Sequence, residues 1–396
     1  MSGPLDGITV LDFTRVLSGP YCTMQLADMG ARVIKIEQPG TGDDTRAWGP
    51  PFVNGESAYF LSINRNKESL TLDLKSPEAM RVLDPLLARA DVLVENFRPG
   101  TMQRLGLGHE PLAARFPRLV YCSISGFGQT GPRTKEAGYD AVVQAEGGLM
   151  SITGDEAGQP FRLGVAISDI VSGMFAAQGI GFALLVRERS GTGQLVDVGM
   201  LDATAALLTY QAGIYFATGR TPGRLGNRHP TIVPYETFEA CDGDFVIAVG
   251  NDEQWRRFCA AVDLDVLASD ARFATNRARV ANYAALRPLL SERLRPVARG
   301  DWVARLRSAG VPCGSVRDVA EVLQDPQLEA RGMIQALEHP VAGTMRVTGV
   351  PIKLSDTPGS VRTPPPTLGQ HTTAILSNDA GLEAVEIDRL RAAGVV

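Results

Sequence analysis

The first 125 residues alternate between short apolar, β-branched runs and longer helical ones, and this alternation constrains the fold more than any other feature. Ile8–Phe13 reads as a strand. Pro20–Met29 reads as a helix, with Pro20 suited to its first turn and Gly30 as its stop. Arg32–Ile36 is a second strand. Ser69–Leu74, Asp91–Val94 and Leu119–Ser125 are three more, with a helix opening at Ser76 and running to about Ala90. Helices interposed between strands make crossover connections and cover both faces of a parallel sheet. The predicted fold class is therefore α/β, with a Rossmann-like parallel sheet in a large domain.

With 396 residues the chain is long enough for more than one core. Residues 1–200 are assigned to the large domain and 201–225 to a helical linker. The Gly-, Arg- and Pro-rich stretch 219–230 marks the boundary. Residues 226–330 read as a smaller α+β domain. It opens on a hairpin, Tyr235–Ala240 and Asp244–Val249 around Asp242-Gly243. Residues 331–396 form a C-terminal segment that returns to the large domain, with a strand pair near Ala342-Gly343 and an extended connector at Pro364–Pro366.

Hydrophobic content of 44% and charged content of 21% describe a soluble globular chain. The net charge of −5, without a basic block, argues against nucleic acid as a partner. Five scattered cysteines without CxxC spacing point to a reducing, cytoplasmic setting, and no signal-like start is visible. The four histidines (His109, His229, His339, His371) form no metal pattern, so no metal is expected. The apolar run Ile170–Val186 is short for a membrane span and carries Gln178, and it reads as core. Gly126 to Gly131 matches GxGxxG after a strand, but Pro132 and a polar run replace the helix that a dinucleotide site needs. GxSxG and P-loop motifs are absent.

One acid stands at the mouth of that apolar run. Asp169, beside Ser168 and before Gly173, falls at the start of a helix expected to be buried on most sides. It reads either as an N-cap, with Ser168 the other candidate, or as a carboxylate nucleophile aimed into a cleft. Cations recur after predicted strand ends: Arg15, Lys75 and Arg98, with Arg104 in the next loop. Ligands of open α/β sheets bind outside the carboxyl ends of strands, so such cations would suit a ligand with several phosphates. Each is equally readable as a solvated surface charge. Tyr139-Asp140 reads as a helix start, with Asp140 as its cap.

The runs PLDGITVLDFTRVLSGPYCTMQLADMGARVIKIE, GDDTRAWGPPF, NRNKESLTLDLK, VENFRPG, SISGFGQTGP and GYDAVVQAEGGLMSITG, with the Asp169 segment, carry a resemblance. Together they resemble the class III CoA-transferase family (CaiB/BaiF type), which includes formyl-CoA:oxalate and carnitine CoA-transferases and α-methylacyl-CoA racemase. GDDTRAWGPP, NRNK, GYDAV and IVPYETF most resemble its succinyl-CoA:glutarate branch. The resemblance implies that Asp169 is the nucleophile. It implies that Arg15, Val16, Leu17, the stretch Leu72 to Lys75, Asn96, Phe97, Arg98, Arg104 and the stretch Ala137 to Asp140, including Tyr139, hold CoA. A family cation is replaced by Ala137 here, and a family arginine by Gln38. The four-glycine loop of oxalate-specific members is missing near Val249–Gln254, which argues against oxalate or formate as the acid.

The resemblance implies CoA transfer through an aspartyl anhydride and an aspartyl-CoA thioester, with acyl-CoA as a substrate and no permanently bound cofactor. Succinyl-CoA is the expected donor and a dicarboxylic acid the expected acceptor. Arg46, Arg65 and Arg228 are candidates for gripping the spare carboxylate, Arg46 and Arg228 before Arg65, and Gly250 is a candidate in the smaller domain. An interlocked homodimer is implied as well. The rival on the same fold is a racemase, but Tyr139 stands where the racemase motif has its histidine and is a poor base at neutral pH. A non-catalytic CoA-binding protein is the other alternative.

Overall fold

The computed structural model describes residues 3–396. Six parallel strands form its main sheet: β1 (Thr9–Asp12), β2 (Arg32–Glu37), β3 (Lys67–Thr71), β4 (Val92–Glu95), β5 (Val120–Ser125) and β6 (Leu195–Gly199). Their order is β3-β2-β1-β4-β5-β6. From β1 the chain winds outward one way through β2 and β3, and β4 to β6 wind the other way. The carboxyl ends of β1 and β4 therefore border a topological switch point, where open α/β sheets make their crevice.

The inner strands β4 and β5 are buried along their whole length, as a parallel sheet covered on both faces requires. Val10, Val33, Val92 and Cys122 pack with Cys22 and Ala27 of α1 (Ser18–Asp28) and with Ala176 and Ile180 of a long helix described below. Leu11, Ile34, Leu70 and Leu93 point the other way, onto Leu83, Ile375 and Leu390. Neighbouring residues such as Val10 and Leu11 thus serve opposite layers. Truncating a residue as buried as Leu93 to alanine would cost about 2–5 kcal/mol.

The helices that shape the site are α2 (Asp140–Glu146), α3 (Ile167–Ser190) and α4 (Met200–Ala206). Two expectations for α3 are corrected. Its N-cap is Ala166, so neither Ser168 nor Asp169 caps it, and both lie inside the first turn. Nor is it buried on most sides: Val171, Ala176, Ile180 and Ala183 are buried, whereas Met174, Phe182 and Leu185 are 50%, 60% and 54% exposed. An apolar residue run shows that a helix shuns water, not whether one chain supplies all of its cover. Among the described residues α3 is the one helix long and apolar enough to cross a membrane. Gly191, with φ +76°, ends it by donating its N–H to Arg187 O. The helical linker expected across 201–225 holds two helices, α4 and Thr209–Thr218, because Leu207 and Leu208 close tight bonds to Thr204 and Ala205 and Thr209 turns left-handed.

The chain divides into two compact units. The first holds Met1–Leu149, Arg162–Ala217 and Pro326–Val396, and the second Met150–Phe161 and Thr218–Asp325. The short piece Met150–Phe161 falls within the span 1–200 yet belongs to the second unit. Gly154 O accepts the N–H of Gly226, and Asp155 O accepts from Arg224. The second unit is built on an antiparallel sheet of β7 (Tyr235–Ala240), β8 (Gly243–Ala248) and β9 (Cys313–Ser315), in the order β9-β8-β7. Phe238, Phe245, Trp255, Phe258 and Trp302 fill its core.

Candidate active site

Three neighbouring strands end at one rim, and their following loops build the site. A cavity of about 320 Å³ is lined by Arg15, Val16 and Ser18 after β1, and by Asn96, Phe97 and Arg98 after β4. Tyr139 and Asp140 complete it after β5, together with Asp169 of α3. A second cavity, about 350 Å³, shares Arg15 and Phe97 and adds Gln38, Leu72, Lys75 and Arg104. Leu17 is buried as the N-cap of α1. Among the described residues Lys75, Arg98 and Arg104 have no acidic partner, whereas Arg15 lies 3.5 Å from Asp44. Cations left unneutralised at a concave rim suit an anionic ligand.

The start of α3 is held from two sides. The main-chain N–H of Ser168 donates to Asp140 Oδ1 at 2.9 Å, and the Ser168 hydroxyl accepts from Thr204 Oγ1 at 2.8 Å. Asp140 is itself kept in place by Gln144 Nε2, 2.8 Å from its other oxygen. The loop before α2 reaches this place because Gly126 and Gly138 pass backbone to backbone. A Cβ at Gly126 would lie 2.6 Å from Gly138 Cα. This close approach is what the GxGxxG-like run serves here. On the other flank Gly173 of α3 meets the start of α1, where a Cβ would stand 2.5 Å from Ser18 O.

Burial pushes the Asp169 carboxyl up to about 7, the nearby Asp140 charge adds to this, and a hydrogen bond from Ser18 pulls the other way. At neutral pH the group is thus poised between acid and carboxylate, as a reacting carboxylate in a partly dry cleft can be. Ser18, Asp44 and Met200 also line this cavity, and no sequence motif singled them out. Tyr59 belongs to the same electrostatic field. Its phenol is pushed up to about 12, first by burial and then by Asp169 and Asp140.

The remaining candidates have other partners. Arg46 forms a two-pronged pair with Glu37, 2.8 Å on each branch, with its guanidinium 3.7 Å from the Phe60 ring centre. Arg65 grips Asp28 in the same way, at 3.0 and 2.7 Å. In the second unit Arg228 lies over the Tyr283 ring at 4.3 Å. Gly250 donates its N–H to Gln254 Oε1 at 2.7 Å, just before the Asn251 cap of helix Asp252–Ala261. Among the described residues no cluster of His, Cys, Asp or Glu is arranged to hold a metal ion, and all five cysteines are free thiols.

A sheet rim with unpaired cations beside a half-buried carboxylate is suited to an anionic ligand. The family model for CoA-transferase family III matches residues 5–372, and the chain belongs to that family; it is an enzyme of the transferase class. The chain is 43% identical over 389 residues to a succinate–glutarate CoA-transferase of Agrobacterium fabrum, covering 97% of this chain and 96% of that one. It is 45% identical over 354 residues to an acetyl-CoA:oxalate CoA-transferase of Acetobacter aceti, covering 89% and 90%. The crystal structure of a CaiB/BaiF family protein from Brucella suis superposes with a TM-score of 0.86 at 43% identity, over 95% of this chain and 99% of that one.

Proposed function

We propose that the protein transfers CoA from succinyl-CoA to a dicarboxylic acid and that Asp169 is its nucleophile. The observation that carries this reading is a half-buried carboxylate in the first turn of α3, facing a cavity whose rim bears Arg98 and Arg15. The Asp169 carboxylate attacks the thioester carbonyl and expels CoA thiolate, leaving a mixed anhydride. The thiolate attacks the aspartyl carbonyl and releases succinate, which leaves an aspartyl-CoA thioester. The acceptor carboxylate then displaces the thiolate, and the thiolate takes the acceptor acyl group, freeing Asp169. The steps need no oxidant, metal or bound cofactor. The N–H groups of Ile167, Ser168 and Ile170 at the α3 start are taken by Val165 O, Asp140 Oδ1 and Ala166 O, so the donor for each tetrahedral oxyanion, worth about 3 kcal/mol, is proposed to come from the Asp169 N–H or from a facing glycine segment.

Arg15, Val16, Leu17, Leu72, Lys75, Asn96, Phe97, Arg98, Arg104, Tyr139 and Asp140 are proposed to hold CoA. The acceptor is less constrained, because relatives of similar identity act on glutarate and on oxalate. The preference for a longer dicarboxylate rests on the absence of a four-glycine loop near Val249–Gln254. With Arg46 committed to Glu37, Arg228 is proposed to grip the spare carboxylate. A homodimer is also proposed: the exposed apolar side of α3, with Met174, Phe182 and Leu185, supports a second copy as its cover.

The test is incubation with succinyl-CoA and a panel of carboxylic acids that includes glutarate and oxalate, with acyl-CoA products read by mass. Asp169→Ala should abolish exchange, and hydroxylamine should tag Asp169 during turnover. Exchange at the wild-type rate by Asp169→Ala would overturn the nucleophile.

A further inference from the structure

Val16, which lines the cavity with Asp169, has a backbone φ of +70°. A β-branched residue avoids this left-handed region because its Cβ crowds the neighbouring carbonyl. Such a conformation lasts only where its surroundings impose it. Here the imposing groups are a buried ion pair and one amide. The Val16 N–H donates to Asp43 Oδ1 at 3.2 Å. That oxygen also accepts the Thr45 N–H at 2.9 Å and the Thr45 hydroxyl at 2.7 Å. The other Asp43 oxygen is ion-paired with Lys35 Nζ at 2.8 Å, and both side chains are fully buried. Lys35 Nζ donates to Thr14 O at 2.7 Å as well, so one ammonium holds both the chain before Val16 and the carboxylate that holds Val16. From the β4 side the Asn96 amide brackets Arg15, accepting its N–H at 2.8 Å and donating to its carbonyl at 2.7 Å.

A buried ion pair is a poor source of stability, because desolvation offsets most of its attraction. Its geometric consequence is specific, however. We propose that Asp43 is a positioning residue for acyl-CoA: by holding Val16 left-handed, it aims the Arg15–Ser18 segment at the cavity that contains Asp169. The inference rests on the reading that this cavity takes acyl-CoA. Without the carboxylate, Val16 relaxes to negative φ and carries Arg15 and Ser18 with it. A glycine in place of Val16 would adopt φ +70° without being held, since it has no Cβ to clash.

The experiment compares two backgrounds. KM for succinyl-CoA and kcat are measured for Asp43→Ala against the wild type, and for Asp43→Ala/Val16→Gly against Val16→Gly, with folding checked by circular dichroism. With Val16 present, loss of the carboxylate should raise KM about tenfold while kcat changes less than about threefold. In the Val16→Gly background, the same loss should raise KM less than about threefold. Asp43→Asn, which keeps an acceptor for the Val16 N–H, should fall between wild type and Asp43→Ala. Should Asp43→Ala fail to fold, Thr45→Val, which only loosens the carboxylate, carries the same comparison at smaller amplitude. Equal increases in both backgrounds, with an active wild type, would overturn the clamp alone. A wild type that neither binds nor turns over acyl-CoA would sink the functional reading and this inference with it.

Discussion

Asp140 Oδ1 accepts the main-chain N–H of Ser168 at 2.9 Å, so a carboxylate at the start of α2 fixes the first turn of α3. The arrangement has two opposed effects on Asp169, the next residue. It satisfies an N–H that the helix cannot pair internally, and it brings a second negative charge close to the proposed nucleophile. Asp140→Asn keeps an acceptor oxygen and removes the charge. The acid limb of kcat/KM, expected near the wild-type Asp169 value of about 7, should then move down by about half to one pH unit. Asp140→Ala removes the acceptor too and should destabilise the protein by about 1–3 kcal/mol in denaturant titration. A limb unmoved in Asp140→Asn would separate it from Asp169.

The raised Asp169 value also ties stability to pH. Its ordinary carboxyl value is 3.8, so between there and about 7 the folded protein keeps a proton that the unfolded chain has released. Stability contributed by this group is therefore full at low pH and declines as pH rises through that window. Asp169→Asn, which cannot ionise, should melt above the wild type at pH 8, with the difference vanishing near pH 4. Thermal melts across this range check both the sign and the window.

Gly173 reverses an ordinary rule. Glycine inside a helix usually gains about 1 kcal/mol on replacement by alanine. Here the added Cβ would stand 2.5 Å from Ser18 O, and α1 or α3 must shift. Gly173→Ala should lose about 1–3 kcal/mol of stability and lower kcat, because Ser18 and Asp169 face each other across this contact. A Cβ added at Gly181 of the same helix would meet nothing within 4 Å in the free chain, so Gly181→Ala serves as the comparison in equilibrium unfolding.

Lys75 and Arg104 line the second cavity without an acidic partner among the described residues. If they neutralise phosphate, Lys75→Ala and Arg104→Ala should each raise KM for succinyl-CoA about tenfold or more, leave kcat nearly unchanged and flatten the salt dependence of KM. Equal salt dependence in wild type and variants, measured by steady-state kinetics, would remove them from the phosphate site.

The parallel sheet was legible because burial on both faces writes itself as short, mostly apolar runs between helical stretches, as at Val92–Glu95 and Val120–Ser125. The cations after β1 and β4 were legible from topology. Asp169 was not decided by its surroundings in sequence, since an acid near a helix start reads equally as a cap, and only the ordered family motifs separated the two. Lys35 and Asp43 were invisible. A lysine within a strand ordinarily marks a solvent face, and its meeting with Asp43 over Val16 exists only once β1, β2 and the following loop are folded together. The exposed side of α3 was hidden for a related reason: composition records apolarity, not which molecule covers it.

Arg46 and Arg228 now carry different expectations. Arg46 is nearly buried and spends both branches on Glu37, whose carboxylate also accepts from the Ser69 hydroxyl at 2.6 Å. Removing one partner of such a pair strands the other charge, at a cost of about 3–5 kcal/mol. Arg46→Ala should therefore unfold at lower denaturant and lose activity alike on a dicarboxylate and on a monocarboxylate of similar length. Arg228, lying over Tyr283, adds about 0.5–1 kcal/mol by that stacking, and its charge acts on the Glu236 carboxyl without a direct ion pair. Arg228→Ala should keep its melting temperature within a few degrees and raise KM for the dicarboxylate about tenfold or more, while the monocarboxylate is nearly unaffected. Steady-state kinetics on the two acids, with melts alongside, decide the matter. Equal losses on both acids by Arg228→Ala would leave the spare carboxylate to some other group.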